Sequence, residues 1–167
     1  MRMEAPSEPK RLLVDPRGRS FYWLRTPSLA IWPSALALDS PNFGCLVIAD
    51  GTAETTEQVG RWADIAVAQG LVFSDAWGRG SDVVEDCVDW AFVALPDCDT
   101  RPVIMTSSHG DDESLESAIW FFVWVAFPHP VYQDQCRSLI VVEVGDAGGK
   151  ADIPGLISWA VTHPTSD

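Results

Sequence analysis

Between residues 103 and 127 the chain reads VIMTSSHGDDESLESAIWFFVWVAF, and its polar and apolar positions separate cleanly. Val103 to Ser107 has the pattern of a buried strand, Ser108 to Asp112 that of a polar corner, and Glu113 starts a helix. From Ala118 to Phe127 every side chain is apolar. A helix apolar on all sides is expected to be buried on all sides, in a core or against a partner. The stretch predicts an α/β fold built around it.

The pattern repeats upstream. Cys45 to Ala49 is a short apolar run closed by Asp50-Gly51, and Thr55-Thr56-Glu57-Gln58 follows. That quartet fits a capping box, in which Thr55 and Gln58 each satisfy a free backbone N–H of the other. Val59, Trp62, Ala63 and Ala66 then recur at helical spacing, and Gly70 stands where a left-handed residue ends a helix. Leu71 to Ser74 predicts a second strand, with Trp77-Gly78-Arg79-Gly80 as a loop. Ser81 or Asp82 is placed to cap a second helix with Val84, Cys87, Val88, Ala91 and Phe92 on its apolar face; Pro96 stops it.

After the organising helix, Pro128 and Pro130 break the pattern and residues 131–137 read as a connection. Leu139 to Val144 predicts a fourth strand, Gly145 to Lys150 a glycine-rich turn, and Asp152 a cap for a last helix through Leu156, Trp159 and Ala160. At the other end, Leu12–Val14 and Phe21–Leu24 flank Asp15-Pro16-Arg17-Gly18, a turn sequence that predicts a hairpin. Residues 26–43 read as an irregular connection with a short helix after Pro33, and residues 1–9 as a loose tail.

Continuous apolar strands alternating with helices indicate a parallel sheet covered on both faces. The expected fold is a small doubly wound α/β sheet, Rossmann-like or flavodoxin-like, of about four parallel strands. The N-terminal hairpin adds to an edge or covers one. One domain is expected over residues 10–167, with hairpin and connection at 10–43 and the β-α-β core at 44–167.

Charge narrows the classes of partner. The formal charge is −13, and it is uneven: residues 1–25 carry six Lys/Arg against three Asp/Glu, and the remainder five against twenty-one. An acidic body repels a phosphate backbone, so nucleic acid held through a basic patch is not expected. It suits a basic protein partner, or it simply keeps the chain in solution. The four cysteines form no CxxC and no secretory pattern opens the chain, which suggests a reducing, cytoplasmic setting. The longest apolar run, ten residues, is about half a membrane span.

In a parallel sheet, ligands sit beyond the carboxyl ends of the strands. The residues expected there are Asp50, Asp75, the Ser107–Asp112 corner and Asp146. Crowded carboxylates at one rim raise each other's pKa or recruit a divalent cation, making Asp50, Asp75 and Asp146 the metal candidates. No cofactor is required by any motif. Aspartates are also common at turns and caps. His109, beside Asp111 and Asp112, is the candidate general acid, with Asp50 and Asp111 as its catalytic companions. A surface histidine beside a helix cap is the plainer account.

Two phosphate-handling patterns come close and fail. Leu46 to Thr52 approaches the strand-DxDGT motif of haloacid-dehalogenase-like phosphatases, but Ile48 replaces the nucleophilic aspartate. Gly145 to Lys150 approaches a P-loop, one residue short and with Ala151 where a Mg²⁺-binding hydroxyl is needed. Nucleophilic catalysis has no support either. Ser107 and Ser108 should point to opposite sides of their strand, and no GxSxG is present.

The stretch HGDDESLESAIWFF, His109 to Phe122, behind the strand VIMTSS, resembles one in small bacterial proteins classed only as a domain of unknown function. The resemblance implies the strand–helix core from Cys45 onward and no activity. Three functions stay open. One is an acidic binding protein, such as an immunity protein or antitoxin, contacting a basic partner through Asp75, Trp77, His109, Asp111, Asp112, Trp120 and Trp124. The second is a metal-assisted hydrolase or phosphoryl-transfer domain. The third is a module that forms a homodimer through the Trp120/Trp124 helix.

Overall fold

The computed structural model describes residues 7–50 and 53–165. A six-stranded sheet and four helices make a mixed α/β unit. The strands are β1 (Lys10–Val14), β2 (Ser20–Thr26), β3 (Asn42–Ile48), β4 (Leu71–Trp77), β5 (Met105–His109) and β6 (Cys136–Val144). The helices are α1 (Thr56–Ala68), α2 (Ser81–Val93), α3 (Leu115–Trp124) and α4 (Ile153–Thr162). Most of the expected tail, together with Gly51 and Thr52, lies outside the described residues.

The sheet order is β1-β2-β6-β3-β4-β5. Only the β1–β2 pair is antiparallel; β2 runs parallel to β6, which runs parallel to β3, then β4, then β5. Five strands are therefore parallel, not about four. The hairpin forms, with Gly18 at φ +78°, but of its two strands only β1 occupies an edge. β2 is an inner strand, and its residues alternate between faces: Phe21 enters one core while Tyr22 and Leu24 enter the other. An apolar run such as Phe-Tyr-Trp-Leu suits a strand buried on both sides.

Those two cores lie on opposite faces of the sheet. From β3, Phe43, Cys45 and Val47, with Ala49 just after it, pack against α1 and α2, whereas Leu46 and Ile48 pack against α3 and α4. The capping box at the start of α1 is present, with Thr55 Oγ1 accepting from the Gln58 N–H and Gln58 Oε1 accepting from the Thr55 N–H. Asp152 caps α4, its carboxylate accepting from the Gly155 N–H.

Other boundaries move. The short helix falls before Pro33, as a 3-10 turn at Leu29–Ile31. A second 3-10 turn, Pro130–Tyr132, interrupts the connection to β6. β5 begins two residues later than expected. α2 is preceded by Gly80 in a left-handed conformation, and Ser81 does not cap it, because its hydroxyl donates to the His109 carbonyl. α3 is entered through Ser114, whose side chain accepts from the Ser117 N–H. Nor is the apolar run buried all round: Val125 and Phe127, beyond the helix end, are 43% and 47% exposed.

Candidate functional site

The carboxyl ends of β2, β3, β4 and β6 open onto one cleft of about 530 Å³. Its position follows from the strand order. β6 and β4 flank β3 on either side, so the loops leaving them diverge around the end of β3, where a crevice is expected in α/β sheets. Gly78 shapes one wall. At φ +120° it brings β4 so near β3 that a Cβ would stand 2.2 Å from the Ala49 carbonyl oxygen.

Asp50, Asp111 and Asp146 line the cleft, as expected of strand ends, and Trp77, expected in the loop after the second strand, lines it too. Two charged residues not anticipated join them. Glu54 is buried and turns inward, accepting from the Ser28 hydroxyl at 3.1 Å and the Leu29 N–H at 3.3 Å. Arg79 reaches Asp111, Nε to Oδ2 at 3.6 Å, while Arg25 extends to Asp146 at 3.2 Å. Both are exposed pairs of small energetic weight. The lining thus has four carboxylates and a single arginine.

Asp75 does not belong to this rim. β4 continues to Trp77, so Asp75 sits within the strand and is fully buried. The metal set Asp50, Asp75 and Asp146 therefore does not assemble, and among the described residues no three His, Cys, Asp or Glu side chains converge to hold an ion.

Asp75 instead meets His109, the last residue of β5. His109 Nε2 lies 3.2 Å from Asp75 Oδ1, at ion-pair distance though not aligned as a hydrogen bond. On the other side of the ring, Nδ1 is 2.8 Å from Glu113 Oε2. The ring packs edge-on against Phe121, with centroids 4.6 Å apart. The adjacent Asp75 carboxylate, reinforced by Glu113, outweighs burial and pushes the imidazole up to about 9. Burial raises the Asp75 carboxyl, against the pull of His109, Ser107 and the Ala76 N–H. An imidazole that is protonated at neutral pH is poorly placed to act as a general base. Ser107 donates to Asp75 at 3.0 Å rather than to His109, so no nucleophile–base pair forms. Ser108 points to the opposite face and donates to Glu85.

Asp112 is exposed and lies outside the cleft lining. Trp120 and Trp124 also lie elsewhere. Both indole N–H groups are used within the chain, donating to the carbonyls of His163 and Ala160 in and after α4 at 2.8 and 2.7 Å. Neither Glu54 nor Glu113 carried a sequence signal beyond an acidic residue near a helix start.

A family described as Domain of unknown function (DUF7684) matches residues 21–160. The chain belongs to DUF7684. The DUF7684 match begins well before Cys45, so it takes in β2 along with the strand–helix core. No curated protein and no solved structure matches the chain.

Proposed function

We propose that the chain is an acidic protein-binding domain that neutralises a basic bacterial partner in the cytoplasm, in the manner of an immunity protein or antitoxin. The carrying observation is the cleft at the strand ends, where four carboxylates, Asp50, Glu54, Asp111 and Asp146, outnumber Arg79 in the lining and Arg25 beside it. A crevice of that charge suits an ammonium or guanidinium group, and its potential would speed encounter with a basic surface. The scaffold reads as a Rossmann-like, doubly wound sheet with this cleft at its switch point. Against the metal-assisted alternative is that no three His, Cys, Asp or Glu side chains converge among the described residues, and against dimerisation that both indole N–H groups donate within the chain.

Titration calorimetry with an oligo-lysine peptide at low and physiological salt tests the reading. Binding should weaken as salt rises and should fall further in Asp50→Asn/Asp146→Asn, with the exposed Asp134→Asn as control. Equal affinity in all three proteins would remove the cleft from the account, and salt-insensitive binding would remove the charge.

A further inference from the structure

β5 is the last strand of the sheet, and among the described residues its outer side faces no other strand. The His109 carbonyl accepts from the Gly78 N–H at 3.0 Å, on the β4 side. Backbone groups alternate sides along a strand, so Thr106 and Ser108 turn theirs outward. Natural sheets protect such edges with lysine, proline or a bulge. Met-Thr-Ser-Ser-His has none of these.

The two faces beside this edge differ in chemistry. On one, α2 carries Asp82, Glu85, Asp86 and Asp89 at spacings of three and four, a single acidic stripe. That stripe reaches the strand itself, because Thr106 donates to Asp89 at 2.9 Å and Ser108 donates to Glu85. On the other face is a small hollow of about 130 Å³ whose lining includes Met105, Phe121, Val125 and Phe127. Met105 is 46% exposed, comparable to Val125 and Phe127.

We infer that the β5 edge accepts an extended segment of a partner protein in which basic and apolar residues alternate. Added as a seventh strand, such a segment pairs its backbone with Thr106 and Ser108. Its side chains then fall alternately on the two faces. Every second one, basic, meets the α2 stripe, and the others, apolar, enter the Met105–Phe127 hollow. A second copy of β5 is a poor occupant, since it would set two acidic stripes together. The inference rests on the basic-partner reading for the sign of the charge, but it places the contact away from the cleft.

The test uses the full chain and three short synthetic peptides: alternating lysine and valine, the same residues in two blocks, and alternating glutamate and valine. Calorimetry gives affinity, and hydrogen exchange gives the amides protected. The alternating lysine peptide should bind and slow exchange at Thr106 and Ser108. Binding should drop by about tenfold in Asp86→Lys/Asp89→Lys, equivalent to roughly 1.4 kcal/mol, and be lost in Ser108→Pro, which removes one outward N–H. Asp86→Lys alone, at an exposed position, keeps the charge test independent of any folding defect in the proline variant.

Equal binding of the block peptide, lost on Asp50→Asn/Asp146→Asn, would overturn the edge site and leave the cleft reading standing. Equal binding of the glutamate peptide, or no binding of any peptide, would overturn the inference. So would protection of β5 that grows with protein concentration alone, which would assign the edge to a second copy's β1 with its Lys10 and Arg11.

Discussion

His109 touches Asp75 diagonally across neighbouring strands: the register pairs His109 with Trp77 and Asp75 with Ser107, yet Nε2 and Oδ1 are 3.2 Å apart. With Glu113 on the other nitrogen, one imidazole ties β4, β5 and the approach to α3. Its backbone carbonyl meanwhile accepts from Gly78 and Ser81 at the start of α2. Replacing it by glutamine leaves a wholly buried carboxylate without its cation. Loss of one member of a buried pair is costly, so His109→Gln should lower stability by about 3 kcal/mol in urea unfolding. A loss below about 1 kcal/mol would mean that the pair is energetically idle.

The same pair makes stability depend on pH. The folded value for His109, about 9, stands above its ordinary 6.5. Its contribution is therefore fully present below about 6.5 and is lost as pH rises through about 9. Burial raises Asp75 as well, so its contribution has the same direction. The melting temperature of the wild type should fall over this interval, and that of His109→Gln/Asp75→Asn, which lacks both titrating groups, should fall less. Parallel curves for the two proteins would contradict the assignment.

Gly78 is fixed by its surroundings on two counts, a φ of +120° and the Ala49 carbonyl 2.2 Å from where a Cβ would be. Gly78→Ala should cost more than about 1 kcal/mol, since an L residue is strained there whatever the space. Calorimetric melting of the variant beside Gly149→Ala separates the two causes. Gly149 also has positive φ, at +60°, but nothing within 4 Å of a new Cβ. Equal losses would make the backbone conformation the whole effect.

Glu54 anchors the 3-10 turn after β2 to the loop before α1. Glu54→Ala removes an acceptor from the Leu29 N–H and should cost about 1–2 kcal/mol. Hydrogen exchange at Leu29 should speed up ahead of global unfolding. Unchanged exchange there would show that solvent replaces the carboxylate.

Local rules carried the chain's reading wherever a signal was local. Thr55 and Gln58 start α1, Gly70 with φ +107° ends its approach to β4, and Asp152 caps α4, each as its sequence neighbourhood indicates. What failed depended on distant partners. The hairpin turn specifies β1 against β2 but says nothing of β6, so β2 looked like an edge strand. Ser81 has the chemistry of a cap and spends it on His109. Asp75 looked like a strand end, yet β4 runs two residues further and buries it. Of the rim residues, Asp50, Asp111 and Asp146 were legible because strand ends are marked by turn chemistry. Glu54 was not, because its inward direction is set by Ser28 and Leu29.

The parallel pairing of β2 with β6 also governs when the protein can finish folding. Ser20 finds Ser138, and Thr26 finds Val144, only after the long stretch of chain between them has been made. Until then the first long apolar strand waits with Phe21, Tyr22 and Leu24 uncovered. Pairings so distant in sequence slow the rate-limiting step and lengthen the interval in which a nascent chain can aggregate. The earlier strand of this pair is among the last to find its place.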